Sequence, residues 1–96
     1  MRKTIYSPEA RLLSELLREI RTASNLTQHE LAQKIKMKHN DVSKMELGQR
    51  RIGYVELRHL LHAVDLDIAT FDQMFEERST LLHAARARRR KSGDRG

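Results

Sequence analysis

The 96-residue sequence contains no cysteine and no tryptophan, and it has one proline, four glycines, two tyrosines and two phenylalanines. Without cysteine there is no disulfide framework and no thiolate metal site, so we expect a cytoplasmic rather than a secreted protein. No hydrophobic run approaches the roughly 18 residues that cross a bilayer, and the N-terminus lacks the apolar stretch of a signal peptide. The scarcity of turn residues and β-branched runs argues against a β protein. The composition favours one small, all-α domain.

Positive and negative charges concentrate in different parts of the chain, whose net charge is +6. Residues 34–51 carry a net +4, residues 52–85 carry −4, and residues 86–96 carry +5. Such polarisation is typical of an electrostatic docking face. The alternative is a solvated surface on which charges cluster by chance, because basic runs alone are weak signals.

The first helix is predicted to begin after Ser7, whose hydroxyl can cap a helix that has Pro8 at its first position. Apolar residues then recur at helical spacing and form one inward stripe: Leu13, Leu16, Leu17 and Ile20. The pattern extends to about Ala23, and Asn25 is expected to end the helix in the left-handed conformation.

The second helix has the densest local signal in the chain. Thr27 and Glu30 have the spacing of a reciprocal capping box, and Leu26 and Leu31 have that of a hydrophobic staple. The helix is therefore predicted to begin at Gln28, and it is short because its inner face covers little more than two turns.

The third helix is predicted from about His39 to Leu47, with Val42 and Met45 facing inward and Gly48 ending it. A fourth helix from about Tyr54 to Val64 has apolar residues at core spacing: Leu57, Leu60, Leu61 and Val64.

Asp67 can cap a fifth helix, whose inward stripe is formed by Phe71, Met74 and Phe75. Residues 86–96 are rich in arginine and poor in apolar side chains, so this basic tail is expected to be disordered when alone. The predicted organisation is an N-terminal arm over residues 1–7, a five-helix domain over residues 8–78, and a helix extension with the tail over residues 79–96.

Two short helices joined by a turn of about three residues, the second basic on its outer face, are the parts of a DNA-binding helix-turn-helix. The matching segments are Leu17-Arg18-Glu19-Ile20-Arg21, Leu26-Thr27-Gln28-His29-Glu30-Leu31-Ala32 and Val42-Ser43-Lys44-Met45-Glu46-Leu47-Gly48-Gln49-Arg50. Over residues 12–75 the chain resembles the Cro and phage-repressor (Xre-like) helix-turn-helix family of bacteria and phages. The resemblance implies a compact, lambda-repressor-like fold that binds double-stranded DNA.

The outer face of the third helix is the predicted base-reading surface. With Val42 and Met45 turned inward, helical spacing turns four polar residues outward: His39, Asn40, Ser43 and Lys44. The resemblance implies that His39, Asn40 and Lys44 occupy base-reading positions. Asn can pair with adenine, Lys can donate to guanine, and His can donate to a purine N7 or a phosphate. Each residue alone is equally well explained as an exposed polar side chain, so the hypothesis depends on the group.

Phosphate contacts are predicted around the same surface. Gln28 and the free amides at the start of the second helix resemble the phosphate clamp of the family. Four cationic residues flank the recognition helix and are further candidates: Lys36, Lys38, Arg50 and Arg51.

The resemblance also implies a buried or half-buried ion pair between Arg21 and Glu46. Two positions depart from the family's pattern. Lys36 stands where glycine is usual at the turn, and Lys38 stands where Ser or Thr usually caps the helix.

The sequence thus predicts a sequence-specific transcriptional regulator, a repressor that binds a palindromic operator as a homodimer through its third helix. The dimer contact is expected in the acidic half, around the fifth helix and Leu81-Leu82. A second hypothesis is an antitoxin that binds a small protein partner and represses its own operon. A third is non-specific nucleic-acid binding through the Arg-rich tail.

Enzyme, cofactor and membrane functions have no support in the sequence, which contains no GxGxxG, P-loop, HExxH or nucleophile elbow. His59 and His62 share a helix face, but neither a cysteine nor an obvious third ligand is nearby, so no metal site is expected.

Overall fold

A computed structural model describes the backbone of residues 7–95 and the side chains of residues 7–85. It contains five helices: α1 (Pro8–Ala23), α2 (Gln28–Ile35), α3 (His39–Glu46), α4 (Tyr54–Ala63) and α5 (Ile68–Arg95). The described residues form no strand, so the predicted all-α, five-helix fold is confirmed. Of the predicted N-terminal arm, residues 1–6 lie outside the described residues.

Three helices begin at the capping residues that the sequence predicts. Ser7 Oγ accepts a hydrogen bond from Ala10 N at 3.1 Å. Thr27 Oγ1 accepts from Glu30 N at 3.0 Å, and Glu30 Oε1 accepts from Thr27 N at 2.8 Å, which completes the capping box. At the start of α5, Asp67 Oδ1 accepts from Thr70 N at 2.9 Å. These side chains satisfy amides that have no partner within the helix.

The first four helices end in the same way, with one residue in the left-handed conformation. These residues are Asn25, Lys36, Gly48 and Asp65, with φ between 56° and 75°. Each is followed by an amide that donates to a carbonyl five residues earlier, as in Leu26 N to Arg21 O at 3.2 Å. This bond is the mark of the Schellman motif, which reverses the chain direction within two residues. The connections over residues 24–27, 36–38 and 64–67 are short for this reason, whereas the connection between α3 and α4 extends over residues 47–53.

The core is formed where the inward stripes of the helices meet. α1 packs against α3 and α5, and α2 packs against α3 and α4. Leu16, Val42, Met45 and Leu61 are at most 2% exposed. They are joined by five further buried apolar side chains, Leu17, Leu31, Ala32, Leu60 and Phe71. Burial of each leucine, valine, methionine or phenylalanine side chain contributes roughly 1.5 to 3 kcal/mol, and it fixes α2 and α3 as a pair on the body.

One ion pair and one histidine–carboxylate contact join α5 to α1. Arg78 donates to both carboxylate oxygens of Glu19 at 2.7 and 3.1 Å, and these hydrogen bonds lower the pKa of Glu19. His83 Nε2 lies 2.9 Å from Glu9 Oε2. Both pairs are largely exposed, so they orient the helix more than they stabilise it.

α5 is longer than the sequence predicts. Its backbone continues as a helix to Arg95, so the predicted disorder is wrong for the backbone of residues 86–95, and residue 96 lies outside the described residues. The physical reason is composition, because alanine, arginine and lysine are strong helix formers and no proline interrupts the segment. At 1.5 Å per residue, 28 residues make a helix about 42 Å long. Over the part of the chain that the structure describes, no helix is both long and apolar enough to cross a membrane.

Candidate nucleic-acid interface

α2, the turn at residues 36–38 and α3 form the candidate interface. Lys36 adopts φ 56° and ψ 48° and ends α2, and Met37 packs against the core. Met37 N donates to Ala32 O at 2.9 Å, which holds the turn against α2. Because Val42 and Met45 are each 1% exposed, α3 cannot rotate without disrupting the core. The outer face of α3 is therefore presented in one orientation.

The predicted base-reading residues lie together on that outer face. His39, Asn40 and Lys44 are exposed, whereas Ser43 is half-buried. The His39 ring contacts the His29 ring of α2 edge to face, with centroids 4.6 Å apart. This contact links the first residue of α3 to the first turn of α2.

The first turn of α3 lacks a side-chain cap. Lys38 occupies the N-cap position in an extended conformation, and its side chain makes no capping hydrogen bond. Asp41 supplies the acidic residue in this turn, and a carboxylate there interacts favourably with the helix dipole. The missing cap is expected from the sequence, because Lys38 stands where Ser or Thr usually caps the helix.

Arg21 and Glu46 are brought together by the packing of α1 against α3. Arg21 Nε donates to Glu46 Oε2 at 2.6 Å, and Arg21 Nη2 donates to Glu46 Oε1 at 3.0 Å. The remaining terminal nitrogen, Nη1, donates to Leu26 O at 2.7 Å in the turn before α2. The two side chains are 10% and 5% exposed, so the pair is buried and links α1, α3 and this turn.

Gln28, a predicted phosphate contact, is half-buried, and its Nε2 donates to Glu46 Oε1 at 2.9 Å. The side-chain amide of Gln28 is thus already hydrogen-bonded to another residue of the protein. A phosphate bound at the N-terminus of α2 would accept hydrogen bonds from the free backbone amides of the first turn. The Gln28 side chain beside it is already held in place by Glu46.

Arg50, a second predicted phosphate contact, is held by carboxylates instead of pointing freely outward. Its Nη1 and Nη2 donate to the two oxygens of Glu56 at 3.0 and 2.8 Å. Its Nε lies 3.7 Å from Asp41 Oδ1. These groups raise the pKa of Arg50, and the bonds from Arg50 and Gly53 lower the pKa of Glu56 to about 2 from its usual 4.5.

The other predicted phosphate contacts, Lys36, Lys38 and Arg51, are exposed around the same surface. His59 and His62 are exposed on α4. Within the described residues, no group of three or more His, Asp or Glu side chains could hold a metal ion.

Sequence reasoning missed two features of this site. One is Glu56, whose carboxylate accepts from Gly53 N at 3.0 Å. The spacing of Glu56, three residues after the residue that precedes α4, is the capping-box spacing and could have identified it. The other is the contact between His29 and His39, for which the sequence holds no signal because the two residues lie on different helices.

Comparison with known proteins gives one family match. The model of a family described as a helix-turn-helix domain matches residues 12–74. No curated protein matches the sequence.

The similar solved structures include those of two proteins. The wild-type restriction-modification controller protein C.Esp1396I is 21% identical with a TM-score of 0.71, over 74% of this chain and 93% of that chain. The tetramer of that protein in complex with its natural 35 base-pair operator gives a TM-score of 0.70. The clp gene regulator ClgR from Corynebacterium glutamicum is 23% identical with a TM-score of 0.71, over 84% of this chain and 85% of that chain. At these identities the likeness shows a shared fold.

Proposed function

Because the chain belongs to the Xre-like helix-turn-helix family, we propose that it is a sequence-specific transcriptional regulator that represses at a palindromic operator. Domains with a helix-turn-helix place the second helix of the motif in the major groove of double-stranded DNA. In this chain that helix is α3, and the start of α2 faces the phosphate backbone.

One observation carries the proposal: His39, Asn40 and Lys44 are exposed on a helix that Val42 and Met45 lock to the core. An exposed amide and an exposed ammonium are groups that recognise adenine and guanine edges. A rigid helix presents them in one geometry, which is what discrimination between base pairs requires. The half-buried Ser43 contributes at the edge of this surface.

The cations around α3 supply affinity without sequence discrimination. Lys36, Lys38 and Arg51 lie on the same surface and reach phosphates on either side of the groove. Their charge also speeds association with DNA, since a polarised surface steers an anionic partner towards it.

A homodimer is part of the proposal, because a palindromic operator has two equal half-sites that two copies of α3 can occupy. The acidic half of the chain is the side available for the two-fold contact. Leu81 on α5 is 67% exposed and Leu82 is half-buried, which supports a contact along α5. The controller protein C.Esp1396I, of similar fold, is described as a tetramer on its operator.

Selection of bound duplexes from a random DNA pool tests the proposed function. We expect enrichment of one inverted repeat, with half-sites about 10 base pairs apart from centre to centre or a multiple of that spacing. Asn40→Ala should select a site with less information at one position of each half-site. A pool that remains random after several rounds would refute sequence-specific binding and favour the non-specific hypothesis.

The antitoxin hypothesis stays a second candidate, since the same fold can bind DNA with one face and a small protein with another. It predicts a stable complex with a protein encoded beside this chain, and purification of the two together distinguishes it.

A further inference from the structure

Arg50 lies in the segment between α3 and α4, and its side chain contacts three parts of the chain. Its guanidinium donates to both oxygens of Glu56 in the first turn of α4, at 3.0 and 2.8 Å. The same Nη1 donates to the carbonyl of Arg51 at 3.0 Å, within the connecting segment. Its Nε lies 3.7 Å from Asp41, which belongs to the first turn of α3. One side chain thus joins the start of α4 to the start of α3.

The position of this contact matters because the first turn of α3 has no side-chain cap and is otherwise held by the buried Val42 and by the contact of His39 with His29. Lys38 gives no side-chain cap, and Asp41 directly follows the exposed Asn40. Glu56 is itself held by Gly53 N at 3.0 Å, so Arg50 ties the turn of α3 to a carboxylate that is already fixed.

The charges around Arg50 argue against a role as a phosphate contact. Asp41 and Glu56 place two carboxylates beside one guanidinium, so the cluster has a net charge of −1 when all three groups are ionised. The low pKa of Glu56, about 2, keeps its carboxylate charged at neutral pH. A phosphate approaching this cluster would meet two anions, and it would have to compete with a bidentate pair for the guanidinium.

We propose that Arg50 is a positioning residue for DNA reading: it fixes the first turn of α3 against α4 through Asp41 and Glu56 and does not bind phosphate. This inference depends on the proposed function. Base reading needs donors held within about 0.5 Å of their working position, whereas phosphate affinity depends mainly on the number of cations near the backbone. Removal of the Arg50 side chain therefore reduces the discrimination between DNA sequences more than it reduces the affinity for random DNA.

Replacement by lysine and by glutamine separates the two roles. Lysine keeps the charge but not the planar fork that binds two carboxylate oxygens. The experiment measures dissociation constants of wild type, Arg50→Lys, Arg50→Gln, Glu56→Gln and the Arg50→Gln/Glu56→Gln double variant. Each is measured for the selected operator and for a random duplex, over a range of salt concentrations. Lys38→Gln serves as the control for a phosphate contact. Circular dichroism at the assay temperature establishes that each variant is folded, and Arg50→Lys, which can still pair with one carboxylate, keeps the test valid if Arg50→Gln unfolds.

We expect the ratio of specific to random binding to fall about tenfold in both Arg50 variants, the size of one weakened base contact, with an unchanged salt slope. Lys38→Gln should flatten the log-log salt slope by about 0.9 and leave the ratio unchanged. Because Arg50 acts through Glu56, the ratio should fall no further in the Arg50→Gln/Glu56→Gln double variant than in Arg50→Gln alone.

Three results would overturn the inference alone: a salt slope flattened by about 0.9 in Arg50→Gln but not in Arg50→Lys, additive effects in the double variant, or an unchanged specificity ratio in both single variants. A wild-type chain that binds all duplexes equally would instead refute the proposed function, and this inference with it.

Discussion

Glu46 meets Arg21 through two hydrogen bonds, 2.6 and 3.0 Å long, between α3 and α1. With 5% and 10% of their side chains exposed, the two charges are removed from water and depend on each other. The pair therefore joins α3 to α1 through buried, charged contacts, in addition to the packing of Val42 and Met45 in the core.

Glu46→Ala is expected to lower the free energy of unfolding by roughly 3 kcal/mol, because it leaves the Arg21 guanidinium buried with no counter-charge. Urea unfolding followed by circular dichroism measures the change. Glu19→Ala is a matched control: it also removes a carboxylate that binds an arginine through two hydrogen bonds, but on the surface, and should cost at most about 1 kcal/mol. Equal destabilisation in the two variants would contradict the importance of burial.

Asn40→Ala is expected to weaken binding to the selected operator by about 1 to 3 kcal/mol and to leave binding to random DNA nearly unchanged. The reason is that an exposed amide on α3 contributes through base edges and not through charge. Fluorescence anisotropy with both duplexes provides the measurement, and Lys38→Ala should weaken both alike. If Asn40→Ala loses the same amount of affinity for both duplexes, Asn40 does not read bases.

Deletion of residues 86–96 removes a net charge of +5. It should weaken specific and random binding alike and flatten the salt slope by about 0.9 for each phosphate that the shortened chain no longer binds. Deletion of residues 92–96, which carry no net charge, is the control and should change neither quantity. If the longer deletion leaves the salt slope unchanged, the basic residues of segment 86–96 do not contact DNA phosphates. If it alters preference for flanking A·T sequences, the tail reaches the minor groove.

The pair of Glu56 with Arg50 should make stability depend on pH. The pKa of Glu56 is about 2 in the folded chain and 4.5 without its partners, so the unfolded chain binds the proton first as pH falls. The contribution is complete above pH 4.5 and disappears progressively towards about pH 2. Since the side chains are about a third exposed, we expect about 1 kcal/mol.

Comparison of wild type with Glu56→Gln isolates this contribution from those of other carboxylates. The difference between their free energies of unfolding should shrink as pH falls from 6 to 2.5. A difference that stays constant over this range would mean that the pair adds nothing to stability.

Leu81→Lys tests the dimer contact. Leu81 is 67% exposed on α5, and a charge in a two-fold interface is repeated opposite itself in the partner. Sedimentation equilibrium should give a dimer for wild type and a much weaker one for the variant, with Val55→Lys as a control at another exposed apolar position. A wild-type monomer at high concentration, free and on DNA, would contradict the proposal.

Helix starts are the part of the fold that the sequence predicts best. Ser7, Asp67 and the pair of Thr27 with Glu30 make bonds that span three residues. Such bonds depend on local sequence alone and need no knowledge of the rest of the fold.

The partners of Arg50 could not be predicted in the same way. Its bonds to Glu56 depend on the path of the connecting segment, and an arginine that follows the candidate recognition helix is as well suited to a phosphate as to a carboxylate. The helical end of α5 could not be predicted for a different reason: a low apolar content suggests disorder, although Ala87 and the arginines of that segment favour a helix.

The left-handed residue Lys36 has a consequence for how this protein can change over time. Glycine at that position would relieve about 1 kcal/mol of backbone strain in the folded chain. It would also raise the conformational entropy of the unfolded chain, which lowers stability by a comparable amount. The two effects nearly cancel, so selection on stability is weak at this turn. A lysine at this turn therefore adds a positive charge beside α3 at almost no cost in stability.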